Sequence, residues 1–417
     1  MVVVHSVGSL LFTALVFRLA SFMPVHSAVD AVRSLYVHVP FCAQKCSYCA
    51  FYSEASSGEM VNRYVRALLR EFELVAADLK PKTVFFGGGT PSLLTLKQWG
   101  QIFEQMERFG LLGAAEWTIE CNPATVSLDK AQLFRNYGVN RVSMGVQSLK
   151  ETLLDKLGRI HTREMVYRSF DTLRQAGFDN VNLDLMFAIP GQSLKDWQET
   201  LTETLAFGRE HLSTYEVIYE DDTPLFAQLR AGEFTEDEDL ACDMYEELVQ
   251  QATAAGLRQY EVANFARDRT LVPTAFDEVQ DVPTYSCRHN LNYWRGGGFY
   301  GLGPSATSYV RGVRTKNWSN TTLYCEQLEK GNRAVESKEQ LPPLSRAGET
   351  AAFGLRMTSG LDFETFRQTT GLDLRREWSA DMEELARRGW GQILPGKFRL
   401  TSEGLRFADS AAELFLR

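Results

Sequence analysis

Three cysteines lie close together in the sequence, directly after a short apolar run. Cys42, Cys46 and Cys49 have the spacing C-x3-C-x2-C. Three thiolates so close together can bind three irons of a cubane iron–sulfur cluster, which leaves the fourth iron open to a small molecule. A structural zinc site and unrelated buried cysteines are the alternatives, but zinc usually takes four ligands in two separated pairs. His38 also lies too close to Cys42 for a familiar zinc pattern, so the spacing favours a [4Fe–4S] cluster.

Strand-like apolar runs alternate with amphipathic helical stretches from Ser34 onward, as in a parallel α/β sheet. Val61–Leu79 has the periodicity of a helix. Six such β/α units predict a partial (β/α)6 barrel, in which the chemistry lies at the carboxyl ends of the strands. The predicted strands are Leu35–Val39, Thr83–Phe86, Trp117–Glu120, Arg141–Met144, Val181–Phe187 and Ser213–Tyr219.

The C-terminal residues follow a different pattern. Residues 340–417 are rich in helical periodicity and contain Gly391–Leu400, a predicted hairpin with Pro395-Gly396 at its turn. Helices followed by a short hairpin predict a small α+β domain that is winged-helix-like. Such wings often bind nucleic acid, but the mixed charge here and the net charge of −9 argue against a nucleic-acid partner.

Composition indicates a globular protein of a reducing compartment. The chain has 417 residues, of which 44% are hydrophobic and 23% charged, so a large core is expected. The other four cysteines are scattered and do not form a disulfide framework, which predicts a cytoplasmic location. These are Cys121, Cys242, Cys287 and Cys325.

Residues 1–30 do not fit the rest of the chain. Val7–Phe17 is an apolar run too short to span a bilayer, and no Lys or Arg precedes it as in a signal peptide. We expect a start-site artefact with Met23 as the initiator. A targeting segment or a contact with a membrane surface is the alternative.

A glycine-rich motif follows the second predicted strand. In Gly87-Gly88-Gly89-Thr90-Pro91 the main chain can approach a ligand closely, and its N–H groups are expected to be free to donate; a tight turn is the alternative. Together with the cysteine spacing and Tyr48 before the last cysteine, this motif resembles the radical S-adenosylmethionine (SAM) superfamily. In that family the open iron binds the amino and carboxylate groups of SAM, and electron transfer cleaves SAM to a 5′-deoxyadenosyl radical. The glycine motif resembles the one that binds the amino group.

Polar residues follow several predicted strands. They are Glu120, Gln147, Arg159 and Asp184. A carboxylate can accept hydrogen bonds from ribose hydroxyls, an arginine can donate to a carboxylate, and an amide can do either. Each residue alone also fits a surface or structural role. As a set they resemble the SAM-contacting residues of the HemN-like branch, which contains the oxygen-independent coproporphyrinogen III dehydrogenase. The SAM site implied by the resemblance consists of Tyr36, Tyr48, Gly88, Gly89, Thr90, Glu120, Gln147, Arg159 and Asp184.

Two features separate the members of that branch. The dehydrogenase carries a fourth cysteine two residues after the last cluster cysteine, where this chain has Phe51. His289-Asn-Leu-Asn-Tyr-Trp294 resembles the H-N-x-x-Y-W signature of HemW-type proteins, which bind heme and pass it to acceptor proteins such as respiratory enzymes. The resemblance implies an axial nitrogen from His289 and ring contacts from Tyr293 and Trp294. A satisfied, partly buried histidine is the alternative.

The resemblance predicts a heme chaperone with a [4Fe–4S] cluster, SAM and heme, and it leaves open whether SAM cleavage is part of the function. The alternatives are a coproporphyrinogen III dehydrogenase and a radical SAM enzyme that modifies heme.

Residues 31–325 are the predicted core, with a heme-binding segment near 285–310 and a HemN-like domain at 340–417. An acidic insertion between Ala266 and Tyr285, and Thr307 in place of a common histidine, depart from the family pattern. The resemblance also implies that cluster loading can couple to formation of a homodimer.

Overall fold

The computed structural model describes residues 31–55, 57–268 and 281–417. The expected start-site artefact or targeting segment at residues 1–30 lies outside these ranges, as do residues 269–280 of the expected insertion. Within them, no helix combines the length and the apolar character that a membrane crossing requires.

The strands of the described residues form four sheets. The strands are β1 (Val32–Val39), β2 (Phe41–Cys42), β3 (Glu54–Ala55), β4 (Leu79–Gly88), β5 (Glu116–Cys121), β6 (Arg141–Gln147), β7 (Val181–Phe187), β8 (His211–Glu216), β9 (Arg258–Glu261), β10 (Asn264–Ala266), β11 (Tyr300–Leu302), β12 (Thr307–Val310), β13 (Val313–Asn317), β14 (Val335–Glu339), β15 (Leu361–Asp362), β16 (Gly391–Ile393) and β17 (Lys397–Leu400). The largest sheet has nine strands in the order β11-β1-β4-β5-β6-β7-β8-β10-β9, and two smaller ones have the orders β12-β13-β14 and β15-β17-β16. The fourth pairs β2 with β3.

Helices follow most strands of the large sheet, and polar side chains begin many of them. Ser57, Thr95, Ser127, Thr162 and Ser193 each accept a backbone N–H at the start of a helix, which satisfies a donor that the helix leaves unpaired. The helices are α1 (Gly58–Val75), α2 (Leu96–Arg108), α3 (Leu128–Asn136), α4 (Glu151–Lys156), α5 (Arg163–Gln175), α6 (Leu194–Ala206), α7 (Pro224–Arg230), α8 (Glu238–Ala254), α9 (Arg288–Trp294), α10 (Thr321–Glu329), α11 (Pro343–Gly354), α12 (Phe363–Thr370), α13 (Leu374–Glu377), α14 (Ser379–Arg387), α15 (Ser402–Arg406) and α16 (Ala408–Glu413).

The six predicted strands are confirmed as β1, β4, β5, β6, β7 and β8, which are neighbours in this order and all parallel. Side chains alternate between the two faces of these strands. On β5, Trp117 stacks on Phe86 and contacts Phe103 of α2 on the outer, helix-covered face. Thr118 and Glu120 point to the opposite face, which we call the inner face. The fold is the expected partial (β/α)6 barrel, and its inner face is largely polar.

Some predicted boundaries were wrong. The first helix ends at Val75, and Leu79 already belongs to β4, because a short 3-10 turn separates them. The periodicity also predicts Leu74 as one of the apolar positions of this helix, but its side chain is 46% exposed. The sequence patterns also missed β11, parallel to β1, and the antiparallel strands β9 and β10 beside β8. Strands of three or four residues are too short to show periodicity.

The C-terminal residues have an apolar cluster of their own, which includes Trp378, Phe398 and Phe415. The predicted hairpin is confirmed, since β16 and β17 pair antiparallel. Backbone hydrogen bonds join this part to the edge of the large sheet, as between Thr358 N and Tyr260 O at 3.1 Å. Val32–Arg417 forms one compact unit, and the domain boundaries at 325 and 340 stay predictions.

Candidate functional site

Backbone contacts hold the cysteine loop at the carboxyl end of β1. β2 pairs with β3 just after the loop, and Glu54 N donates to Pro40 O at 2.8 Å. In the middle of the loop, Ser47 N donates to Leu157 O at 3.0 Å, and Ser47 O accepts from Leu225 N at 2.9 Å. The loop is therefore fixed between β1 on one side and the ends of α4 and α7 on the other.

The three thiols of this loop are half-buried. Thr90 Oγ1 donates to Cys42 Sγ at 3.8 Å, and Arg159 Nη1 donates to Cys46 Sγ at 3.6 Å. Burial raises the pKa of Cys42 and raises that of Cys49 to about 11, with a smaller contribution from the neighbouring cysteines. Thiolates at these positions would therefore require a strongly positive partner, which iron supplies.

The donor set suits a cluster better than a single metal ion. In the described part of the chain, no group of three or more His, Cys, Asp or Glu side chains is arranged to hold one metal ion, as structural zinc requires. In a cubane each thiolate binds a separate iron, so the sulfurs need not converge on one point. Three half-buried thiols in one anchored loop fit that chemistry.

The glycine motif brings the end of β4 against the cysteine loop. Gly88 has a φ of +111°, and a Cβ there would lie 2.6 Å from the His38 ring; a Cβ on Gly89 would lie 2.7 Å from Phe41 O. The expectation of free N–H groups is wrong for three residues of the motif. Gly88 N donates to Glu120 Oε2 at 3.1 Å, Gly89 N to Val39 O at 2.8 Å and Thr90 N to Phe41 O at 2.7 Å.

Two carboxylates lie on the inner face near this motif, Glu120 on β5 and Asp184 on β7. Asp184 accepts from Ser143 Oγ at 3.1 Å and from Asn182 Nδ2 at 2.7 Å. Burial, followed by the charge of Asp184, raises the pKa of Glu120 to about 8. Burial also raises the pKa of Asp184. A ligand that brings hydroxyl donors or positive charge would lower the cost of both negative charges.

The end of β6 places an amide and a guanidinium beside the same loop. Gln147 has a φ of +64°, at an irregularity in the pairing of β6 with β7. Arg159 Nη2 donates to Gly145 O at 2.6 Å, while its Nη1 contacts the sulfur of Cys46. Burial raises the pKa of Tyr48, which interacts with Arg159. Gln147, Arg159 and Tyr48 are thus brought together around Gly145 and the cysteines.

Sequence reasoning considered His38 only as a zinc ligand and missed its role in the site, where it contacts several of the predicted residues. His38 Nε2 donates to Tyr52 O at 2.8 Å, so its Nδ1 accepts from the Tyr36 hydroxyl at 3.0 Å. Burial lowers the pKa of His38 to about 4, which keeps the ring neutral. Its position two residues after Tyr36 on the same strand face was the available signal. His38 thus holds the chain just after the cysteines through Tyr52 O, and its ring packs against Gly88.

The predicted heme-binding residues, His289–Trp294, lie in α9 (Arg288–Trp294), at the other end of the inner face. We call this part of the predicted segment near 285–310 the heme segment. Glu116, at the start of β5, accepts from Arg288 N at 2.9 Å and from His289 N at 3.0 Å. His289 is 1% exposed and stacks on Phe85 at 5.2 Å. Its Nδ1 contacts Thr83 Oγ1 at 3.0 Å, also at the amino-terminal side of the sheet. Burial lowers the pKa of His289 to about 3.

The three residues predicted to contact heme have different surroundings. Tyr293 OH lies 2.8 Å from His289 Nε2, so these two residues are in direct contact. Trp294 is buried on another side of the helix, where the guanidinium of Arg356 lies 5.2 Å from the centre of its ring and Phe353 packs nearby. The structure therefore brings His289 and Tyr293 together, and it places Trp294 against the C-terminal residues.

Comparison with known proteins assigns this arrangement to a family. The Radical SAM superfamily matches residues 36–203, and the HemN C-terminal domain matches residues 341–407. The chain is 30% identical over 391 residues to "Heme chaperone HemW" of Bacillus subtilis (strain 168), covering 92% of this chain and 99% of that protein. It is 33% identical over 395 residues to "Heme chaperone HemW" of Escherichia coli (strain K12), covering 92% and 98%.

A solved structure shows the same fold. Coproporphyrinogen III oxidase (HemN) from Escherichia coli, described as a radical SAM enzyme, superposes with a TM-score of 0.78 at 21% identity, over 93% of this chain and 90% of that chain. The chain thus has this fold together with a HemN C-terminal domain. It is also similar to HemW proteins over nearly their whole length. The chain therefore belongs to the HemW family within the radical SAM superfamily.

Proposed function

We propose that the chain is a heme chaperone that binds a [4Fe–4S] cluster on Cys42, Cys46 and Cys49 and SAM beside it. Membership of the radical SAM superfamily implies both cofactors. The observation that supports the cluster site best is the anchored loop with three half-buried thiols, two of which accept hydrogen bonds from Thr90 and Arg159. Cys42, Cys46 and Cys49 would hold the cluster, which would supply the electron for any cleavage of SAM.

The surrounding residues have roles in binding SAM that follow from their chemistry. Glu120 is an acceptor for ribose hydroxyls, and the N–H groups of Arg159 not used on Gly145 O and Cys46 Sγ are donors for a carboxylate. The N–H groups of Gly88, Gly89 and Thr90 are already paired, so this motif would meet the SAM ammonium group with carbonyl oxygens. Tyr36, Tyr48, Gln147 and Asp184 complete the proposed site.

Heme is the proposed cargo, and acceptor proteins such as respiratory enzymes are the proposed recipients. The relatives in Bacillus subtilis and Escherichia coli are both named heme chaperones. The proposed heme residues, His289, Tyr293 and Trp294, lie on α9. Glu116 beside α9 is the first residue of β5, and Glu120 in the proposed SAM site is four residues further along the same strand, about 13 Å away. This separation favours carriage of heme over its modification by a radical formed at the SAM site.

A second candidate is oxidative decarboxylation of coproporphyrinogen III, since the fold is that of HemN. Phe51 stands where that enzyme is expected to carry a fourth cysteine, and a phenyl ring cannot replace a thiol. The cytoplasm is the proposed location, because none of the seven cysteines, all of which lie in the described part of the chain, is in a disulfide, as expected in a reducing compartment.

Anaerobic reconstitution followed by two parallel assays tests the proposal. We expect stoichiometric hemin binding, and no conversion of coproporphyrinogen III to protoporphyrinogen IX. Cys46→Ala should abolish the brown cluster chromophore, whereas Cys242→Ala, a free half-buried thiol on α8, should retain it. Robust protoporphyrinogen IX formation would favour the second candidate, and a full cluster in Cys46→Ala would contradict the proposed cluster site.

A further inference from the structure

His289 and Tyr293 form a hydrogen-bonded pair whose donor and acceptor can be assigned. The Thr83 hydroxyl donates to Ser34 Oγ at 2.9 Å, so it accepts from His289 Nδ1–H at 3.0 Å. The lone pair of the ring is therefore on Nε2, and Tyr293 O–H donates to it at 2.8 Å. An Nδ1–H held by an oxygen is also what orients many histidines that bind metals through Nε2. The imidazole thus has the tautomer of a metal ligand, but its lone pair is occupied.

Packing makes Tyr293 the more accessible member of this pair. The His289 ring is 1% exposed and lies between Phe85, at 5.2 Å, and Tyr293, which meets it edge-on at 4.9 Å. Tyr293 is half-buried, and its other ring contact is with Phe299, at 4.5 Å. A planar macrocycle therefore cannot reach Nε2 while Tyr293 keeps this position.

We propose that the Tyr293 hydroxyl and heme iron compete for Nε2 of His289, so that this structure is the closed state of the heme segment. The inference rests on the proposed function. When heme binds, the O–H···Nε2 hydrogen bond breaks and an Fe–Nε2 bond forms. No proton or electron is transferred, because Nε2 is already unprotonated and the iron keeps its oxidation state.

Competition of this kind serves a protein that must give up its cargo. A hydroxyl that recaptures Nε2 stabilises the heme-free state and lowers the affinity for heme. A hydrogen bond of ordinary net strength corresponds to a change of about 3- to 10-fold in a binding constant. The hydroxyl of Tyr293 would then favour release of heme to an acceptor, while the ring of Tyr293 keeps the heme contact proposed above.

Hemin titration of the reconstituted full chain, followed by the Soret band, tests this competition. Tyr293→Phe should bind hemin about 3- to 10-fold more tightly than the unmodified chain, because it keeps the ring and removes the hydroxyl. Tyr167→Phe is the matched control: it removes a hydroxyl that donates to Glu203 at 2.6 Å on the surface of α5, outside the proposed heme segment, and its hemin affinity should be unchanged. The cluster chromophore and thermal unfolding report whether each variant is folded.

A second substitution separates competition from other effects of Tyr293. His289→Gln keeps an amide that can hydrogen-bond to Thr83, but it supplies no nitrogen ligand to heme iron. Tyr293→Phe should therefore give no gain when it is added to His289→Gln. Equal or weaker hemin binding by Tyr293→Phe alone would overturn the inference, and weaker binding would identify Tyr293 itself as a heme contact. A chain that carries its cluster but binds no hemin would instead refute the proposed function.

Discussion

Glu120 is the residue whose charge the fold disfavours most clearly in the proposed SAM site. Burial and the neighbouring Asp184 raise its pKa to about 8, although Gly88 N donates to its Oε2. Without a ligand, most Glu120 side chains are therefore protonated at neutral pH. Ribose hydroxyls donate more strongly to a carboxylate than to a carboxylic acid. Binding of SAM is then linked to the loss of a proton from Glu120.

The linkage predicts that SAM binds more tightly as pH rises. Between pH 7 and pH 9 the deprotonated fraction of a group with a pKa near 8 increases about tenfold. Relative to Glu120→Gln, which shares the titration of the SAM amino group, the affinity of the unmodified chain should increase by up to that factor. Glu120→Gln should bind SAM more weakly at pH 9 and should show no such rise. Anaerobic equilibrium dialysis with labelled SAM measures both. Glu364→Gln, exposed on α12, should behave like the unmodified chain. The same pH dependence in the unmodified chain and in Glu120→Gln would contradict the role given to Glu120.

At the scale of elements, β5 connects the two proposed sites. Near its carboxyl end, Glu120 on the inner face accepts from Gly88 N of the glycine motif, and its first residue, Glu116, caps α9. The first N–H groups of a helix have no partner within the helix. Because Arg288 N and His289 N both donate to the buried Glu116 carboxylate, the strand determines where the heme segment begins.

Loss of this cap should destabilise the protein. Glu116→Ala leaves two backbone N–H groups without their partner and should lower the free energy of unfolding by about 2 kcal/mol or more. Urea denaturation measures the change, and Glu116→Gln, which keeps one acceptor oxygen, should cost less. If Glu116→Ala changes the midpoint no more than Glu59→Ala on the exposed first turn of α1 does, then α9 is held in place by its packing alone.

At the scale of the whole molecule, Arg356 joins the C-terminal residues to the edge of the large sheet. Its Nε lies 3.5 Å from Oε2 of Glu261, a fully buried carboxylate at the end of β9. Its guanidinium also covers the ring of Trp294 at 5.2 Å. The C-terminal residues thus hold α9 on the side away from Glu116, so the heme segment is packed between the two parts of the protein.

Removal of this arginine leaves the Glu261 charge buried without a cation. Arg356→Ala should lower the free energy of unfolding by about 3 kcal/mol, as expected when one partner of a buried ion pair is deleted. Arg367→Ala is the matched control, because Arg367 pairs with Glu364 on the surface of α12 and should contribute about 0.5 kcal/mol or less. Thermal or urea unfolding of both variants checks this difference; similar small losses would show that Arg356 does not stabilise the junction.

Much of the fold was predictable because its signals are local. The six parallel strands were found from apolar runs followed by glycine or polar residues, and the C-terminal hairpin from Pro395-Gly396. The spacing of Cys42, Cys46 and Cys49 lies within one loop, so the cluster chemistry could be inferred without knowledge of the fold. Short strands such as β10 and β11 were missed because they form only through pairing with distant segments.

The sequence by itself thus determined the fold class, and it predicts the chemistry of the cysteine loop, since residue type and spacing within short segments carry both signals. Only the tertiary structure decided which polar groups are already paired. It showed that the N–H groups of Gly88, Gly89 and Thr90 are used internally, and that Glu116 caps a helix far along the chain. It also placed His289 in the interior with Tyr293 on its lone pair. Burial and hydrogen-bond partners depend on contacts between residues that are distant in the sequence, so local sequence patterns cannot predict them.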